Sequence, residues 1–308
     1  MKSHPLSVHT LCLGVLFTLG NSLLFSEQAS DATAIFSLAA AGAAGLVSCL
    51  LVRPVVQWAV GPPAGRSRLS AFWQISVCLL FFAAVFYVGA DCFREHLRFL
   101  TDNLLPRNAR LALAAVFFLC VLVLAESEND AVLKFSLILL PVILLLTLGL
   151  FFLSIRSFYP HALLPDSFSV TRMFKGIPPF LPTVFFPALC IPLYEAVTFQ
   201  KTTGKSVWGV ALGYLLLLFC FCHAVLLLGN GLAFTEFPYI EAISTLSLGS
   251  LYTRMDGFAY FTVFAVCLIR CGICVKLLLE LCSRFGAGKR KLLTAGLCFF
   301  VCLFGYCL

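Results

Sequence analysis

The sequence predicts an all-α polytopic membrane protein of about nine transmembrane helices, arranged as an inverted repeat whose tenth helix is missing. Three observations carry this expectation. The chain is 61% hydrophobic and 11% charged, with 32 Phe in 308 residues, and its mean hydropathy is +1.02; no soluble core of this length needs so much apolar surface. Apolar runs of about 20 residues, the length that crosses a bilayer, recur from end to end. Two of these runs are interrupted, at Thr18-Leu19-Gly20-Asn21-Ser22 and at Pro187-Ala188-Leu189-Cys190-Ile191-Pro192-Leu193-Tyr194-Glu195. Interruptions at matching places in two halves of a chain point to a transporter's substrate site.

The expected spans fall at 6–25, 33–52, 70–90, 109–125, 133–154, 178–199, 206–232, 257–279 and 291–308. The first reads as a retained helix, because its apolar stretch is longer than a signal core and Ser22 to Gln28 offers no small-x-small cleavage site. The second is rich in Ala and Gly, and the turn-forming Gly61-Pro62-Pro63-Ala64-Gly65 closes it off from the third. Mixed charge over Cys92 to Asn108 suggests a short helix on the outer surface. The fourth span is short. Arg156 to Pro182, with prolines at 160, 165, 178, 179 and 182, is the longest linker. It divides a first repeat, residues 1–155, from an incomplete second, 178–308, across a linker at 156–177. Phe237 to Leu251 is too polar to span, but Phe237, Ile240, Ile243 and Leu246 recur every third position, which suits a helix lying at the outer interface.

Charge sets the orientation. Lys2, Arg53, Arg66, Arg68, Lys201, Lys205, Arg284, Lys289, Arg290 and Lys291 fall on one side if the amino terminus is cytoplasmic, as the positive-inside rule requires. The net charge of +7 is therefore topological. No basic stripe interleaved with aromatics argues for nucleic acid. The expected location is a cell membrane.

Most of the 15 cysteines lie in apolar runs, where cysteine behaves as a small hydrophobe. Cys267, Cys271 and Cys274 share a helical face, and the last two form a C-x-x-C. Without nearby His or Asp in a polar setting, packing is the simpler reading, and no metal, cofactor or disulfide framework is expected. G-x-S-x-G, H-E-x-x-H and a phosphate-binding loop are all absent, so the chain reads as no enzyme. His223, isolated in an apolar helix, reads as locally satisfied.

The interruptions carry the site hypothesis. Gly20 lowers the cost of leaving helical dihedrals, and Asn21 and Ser22 can bond freed backbone groups. A helix resuming at Leu23 would aim its positive end at an anion such as an amino-acid carboxylate; a small-residue packing notch is the plainer alternative. Pro187 and Pro192 free the carbonyls of Thr183 and Ala188, which could hold an ammonium. Glu195 either carries a coupling proton, as an acid within a span suggests, or sits near the cytoplasmic mouth. Arg270 either acts as a fixed charge against the first helix, in place of a sodium ion, or snorkels to the cytoplasmic face as Lys276 is expected to do. The Tyr87 hydroxyl either caps a central cavity or finds some local partner.

Several stretches resemble a known family. Leu19-Gly20-Asn21-Ser22-Leu23-Leu24-Phe25 is similar to the Gly-x-Gly-Leu-Leu-x-x-Pro opening of spore germination permeases, the GerAB/ArcD/ProY-like branch of the amino acid–polyamine–organocation superfamily. Phe237-Pro238-Tyr239-Ile240-Glu241, with Leu248-Gly249-Ser250-Leu251-Tyr252-Thr253-Arg254-Met255-Asp256, resembles that family's segment ahead of the eighth span. The resemblance implies a LeuT-like fold with a five-plus-five inverted repeat. It also implies an amino-acid-like germinant and work alongside other germinant-receptor subunits. Gly20 and Ser22 match the family's first-helix break, and Glu195 approximately matches an acid of its sixth helix. Departures are Asn21-Ser22 for the usual small-Gly pair, Ser26 for a common proline, Pro192 where Gly is usual, and the missing tenth helix.

On this reading the solute's carboxylate meets Thr18, Gly20, Asn21 and Ser22. Its ammonium meets the carbonyls near Cys190, Ile191 and Pro192, with Tyr87 and Tyr194 alongside and Glu195 and Arg270 in coupling roles. Proton-coupled amino-acid transport and a ligand-free scaffold subunit are the competing expectations.

Overall fold

A computed structural model describes residues 4–20, 32–61, 68–103, 110–163, 169–199, 205–235, 237–246, 256–284 and 290–307. Ten α-helices account for nearly all of them: α1 (His4–Leu19), α2 (Thr33–Val60), α3 (Arg68–Asn103), α4 (Arg110–Glu126), α5 (Asn129–Ser154), α6 (Val170–Phe199), α7 (Lys205–Leu228), the short α8 (Pro238–Ser244), α9 (Asp256–Arg284) and α10 (Arg290–Cys307). Helix is what lipid demands, since it satisfies every backbone group within one segment. Among the described residues six helices are long and apolar enough to cross a membrane, at 33–60, 72–102, 131–157, 170–198, 205–228 and 257–283. The other three expected spans correspond to α1, α4 and α10, of 16, 17 and 18 residues. At 1.5 Å per residue each falls just short of a hydrocarbon core about 30 Å thick.

Small residues set how the helices approach. The α1 and α7 axes run parallel and close: a methyl on Gly209 would lie 2.6 Å from the Leu11 carbonyl, and one on Gly213 would lie 2.5 Å from Thr18 Cβ. The α2 and α6 pair is the counterpart, also parallel, from Ser37 against Gly176 at one end to Gly45 against Val184. Without a hydrophobic drive between helices in lipid, this close van der Waals approach is what holds them. The α3 and α9 helices run antiparallel, Gly89 against Cys274 and Phe99 against Tyr260. Gly272 admits Leu124 of α4, and Gly305 of α10 rests on the Ala90 carbonyl of α3. Two groups result, one of α1, α2, α6 and α7, the other of α3, α4, α9 and α10. Each packs more extensively within itself than across to the other, and α1 and α6 meet α9 at the seam.

Four expectations change here. The interruption expected at Pro187–Glu195 is not found: α6 is a continuous helix through Pro178, Pro179, Pro182, Pro187 and Pro192. Each proline deletes one backbone donor, but unwinding would strand several more groups, and Ala188 to Leu193 are buried in apolar packing with nothing to receive them. Neighbours steady this helix instead. Ser37 Oγ donates to the Met173 carbonyl at 2.8 Å, and the Tyr214 hydroxyl donates to the Val184 carbonyl. Second, α6 begins at Val170, so the linker expected at 156–177 is shorter and carries two 3-10 turns, Ile155–Ser157 and Pro160–Leu163.

Third, the surface helix expected after Cys92 is the continuation of α3. No Gly or Pro breaks residues 91–103, and Arg94 pairs with Asp91 at 2.6 Å and with Glu95 at 3.0 Å. Cys92, Phe93, His96, Leu97 and Phe99 are buried along it. Fourth, α2 runs on past residue 52 through Arg53 and Pro54. The interfacial helix expected near residue 240 is present as α8. Its Tyr239 is buried, and burial raises the phenol well above its ordinary pKa.

Candidate functional site

The first interruption survives in altered form. Helix α1 ends at Leu19, and Gly20 forms the turn that follows, its N–H still bonded to the Leu16 carbonyl at 3.1 Å. Gly20 is buried. Sixteen helical residues rise about 24 Å, so α1 ends before it could traverse a bilayer. Thr18 is also buried, and its Oγ1 donates back to the Gly14 carbonyl at 2.8 Å, facing Gly213 across the α7 seam. Asn21 and Ser22 lie outside the described residues.

Arg270 meets this helix end. It occupies the midpoint of the apolar stretch 257–283 of α9 and is only 2% exposed. Its guanidinium lies over the Phe17 ring, 5.3 Å from the centroid. A methyl on Gly20 would collide with Arg270 Cδ and stand 3.1 Å from Nη1, so only glycine lets the side chain lie there. Among the described residues, Nε and Nη1 have no hydrogen-bond partner. Snorkelling is thereby corrected: about 20 Å of helix separates Arg270 from either end of the stretch, farther than its side chain reaches. Both the end of α1 and Arg270 lie at the seam between the helix groups.

Lys276 lies farther along the same helix. It is buried, and its Nζ donates to the Ser127 carbonyl at 2.5 Å. Ser127 follows the last residue of α4, so the ammonium caps a helix C-terminus, where the macrodipole favours positive charge. Tyr87, expected either to cap a central cavity or to find a local partner, is 48% exposed and packs on Phe186 of α6, centroids 5.9 Å apart.

The α6 residues divide. Cys190, Ile191 and Tyr194 are fully buried, and the Cys190 thiol neighbours Cys274 of α9 across the seam. Pro192 sits in unbroken helix. Its ring removes one donor, so the Ala188 carbonyl has no i+4 N–H to bond. Glu195 is 1% exposed, yet it lies one turn from the end of α6, at the level of Cys49 and Arg53 of α2. Glu195 and Arg270 stand at different depths.

Two features were invisible in one dimension. His96 is wholly buried among the rings of Phe117, Phe264 and Phe99, with centroids at 4.5, 5.4 and 6.4 Å, and neither ring nitrogen has a partner. It lay in a stretch read as surface helix. Cys92 of α3 joins Cys267 and Cys271 of α9 in one buried thiol cluster, with Cys92 Sγ 3.7 Å from the Cys267 carbonyl. Among the described residues no group of His, Cys, Asp or Glu has metal-binding geometry. His223, expected to be locally satisfied, is so at one nitrogen: Nε2 shares a 2.7 Å hydrogen bond with Ser154 Oγ, while buried Nδ1 has no partner among the described residues.

A helical bundle with Leu51, Leu80, Val123 and Leu145 each more than 65% exposed cannot present that belt to water without aggregating. The class is thus an all-α integral membrane protein. No protein-family model matches the sequence, and no curated protein matches it either.

Proposed function

We propose that this chain is a permease-type membrane subunit that binds an amino-acid-like solute where α1 ends against Arg270, and relays binding to partner subunits, as the spore germination permeases it resembles do. The single observation that carries the reading is a buried helix end facing a buried, underpartnered cation. Irregular backbone at membrane depth is tolerated where it lines a wet or ligand-filled space. The Ala188 carbonyl, left without its i+4 donor by Pro192, is the natural acceptor for an ammonium on the α6 side, now from within an intact helix.

The packing pairs support a LeuT-like inverted repeat behind this site. If α1 to α4 correspond to α6, α7, α9 and α10 in order, then α1 on α7 exchanges with α6 on α2, and α4 on α9 with α10 on α3. Both members of each exchanged pair run parallel, as an inverted repeat requires.

The test is ligand binding by the purified full chain. At least one amino acid should raise its melting temperature, and Gly20→Ala, which displaces Arg270, should weaken that response at least tenfold. A wild-type chain indifferent to every amino acid would refute the reading. Transport is a second reading, favoured by the burial of Glu195. It requires uptake into proteoliposomes that Glu195→Gln abolishes.

A further inference from the structure

Arg270 is a cation that cannot be discharged, since a guanidinium does not deprotonate in proteins, and it sits where charge is most costly, at the centre of a membrane-spanning stretch. Such groups persist when they are paired. The carboxylate whose charge bears on it, Asp91, is already engaged with Arg94 at 2.6 Å. Other groups near it are the Phe17 ring, which offers only its face, the Tyr214 phenol, and the thiols of Cys92, Cys267 and Cys274. Nε and Nη1 stay unspent. The adjacent end of α1 supplies carbonyls, yet none lies within bonding reach of either nitrogen.

We infer that Arg270 is the receptor for the anionic group of the ligand, a carboxylate. Resting on the solute reading above, this assigns the ligand's acid end to α9 and fixes the ligand class as carboxylate-bearing. The geometry suits it. A guanidinium offers planar donors matched to a carboxylate, and Gly20, having no side chain, lets Nη1 lie against the end of α1 beside the Phe17 ring. The pairing would also place the ligand across the seam, touching α9 of one helix group and α1 of the other, so that its occupancy bears on how the groups sit together.

Melting of the purified full chain in lipid nanodiscs, titrated with amino acids, their carboxamides, acetate and chloride, tests the assignment. The expected result is stabilisation by one or more amino acids, at least tenfold weaker for the corresponding carboxamide. Arg270→Gln should remove the response, and Arg270→Lys should retain a weakened one. The carboxylate-over-amide preference of the wild type is the decisive reading should Arg270→Gln fail to fold. An amide that binds as well as its acid, or an Arg270→Gln protein that keeps the preference, overturns the assignment while leaving the solute reading intact. Acetate acting through Arg270 with no amino acid surpassing it would uphold the assignment and refute the solute reading. Chloride matching acetate would overturn the carboxylate assignment in favour of a simple halide site.

Discussion

At the scale of single residues, the buried polar groups fall into those with partners and those without. His223 on α7 and Ser154 on α5 share a hydrogen bond, the Ser154 hydroxyl also donating to the Phe151 carbonyl at 2.8 Å, so His223→Ala removes the bond that ties the two helices. The expected cost is about 1–3 kcal/mol of stability, read as a lower melting temperature, with ligand response unchanged. Lys276 closes the end of α4 through the Ser127 carbonyl; Lys276→Met should destabilise by a comparable amount, about 1–3 kcal/mol, and Lys276→Arg should recover part of it. Tyr87→Ala, at a half-exposed position, should leave ligand binding unaltered within twofold, and a larger loss would place Tyr87 at the site. Gly20 and Arg270 were legible as candidates because each breaks an apolar pattern. His96 and the Cys92 cluster were not, since their meaning lies in rings and thiols that only α4 and α9 bring near.

Individual helices show where one-dimensional reading succeeds. Hydropathy located every long helix, because lipid permits few alternatives to an apolar run of that length. Ends were harder. Arg53-Pro54 suggested that α2 stops, and Asp91 to Asp102 suggested that α3 does, but both helices continue beyond their apolar cores. Polar residues end the apolar pattern without ending the hydrogen-bond ladder. Proline misled most in α6, where Pro187 and Pro192 point to a broken helix and Pro178, Pro179 and Pro182 to a linker, and the surrounding apolar packing holds the helix whole. The small-residue seams make a sharper forecast. Gly209→Ala presses a methyl onto the Leu11 carbonyl and should cost about 1–3 kcal/mol through overpacking, whereas Gly149→Ala, with open space around it, should be neutral or stabilising. Thermal unfolding of the pair in one detergent checks both.

Across the whole molecule, the alternation of the expected spans makes α1 and α7 parallel, α2 and α6 parallel, and α3 and α9 antiparallel, and the residue contacts run in those senses. Epitopes inserted near residues 64 and 287 should therefore be reached only from the cytoplasmic side, and those near 105 and 166 only from the other; the reverse pattern would invert the orientation. The repeat itself was legible only as a hope, since one of its two marker breaks is absent. Its support comes instead from which helices pack together, a relation that no single sequence displays.

The seam between the helix groups has a mechanical meaning. Each quartet is locked internally by backbones in near contact, while few side chains span the join, so rocking one quartet against the other disturbs little of what holds either together. A small molecule seated there with millimolar affinity releases about 4 kcal/mol, and tilting an equilibrium from one extreme to the other takes differential binding of about 5.5 kcal/mol. A hinge this lightly fastened brings those two quantities within range of each other.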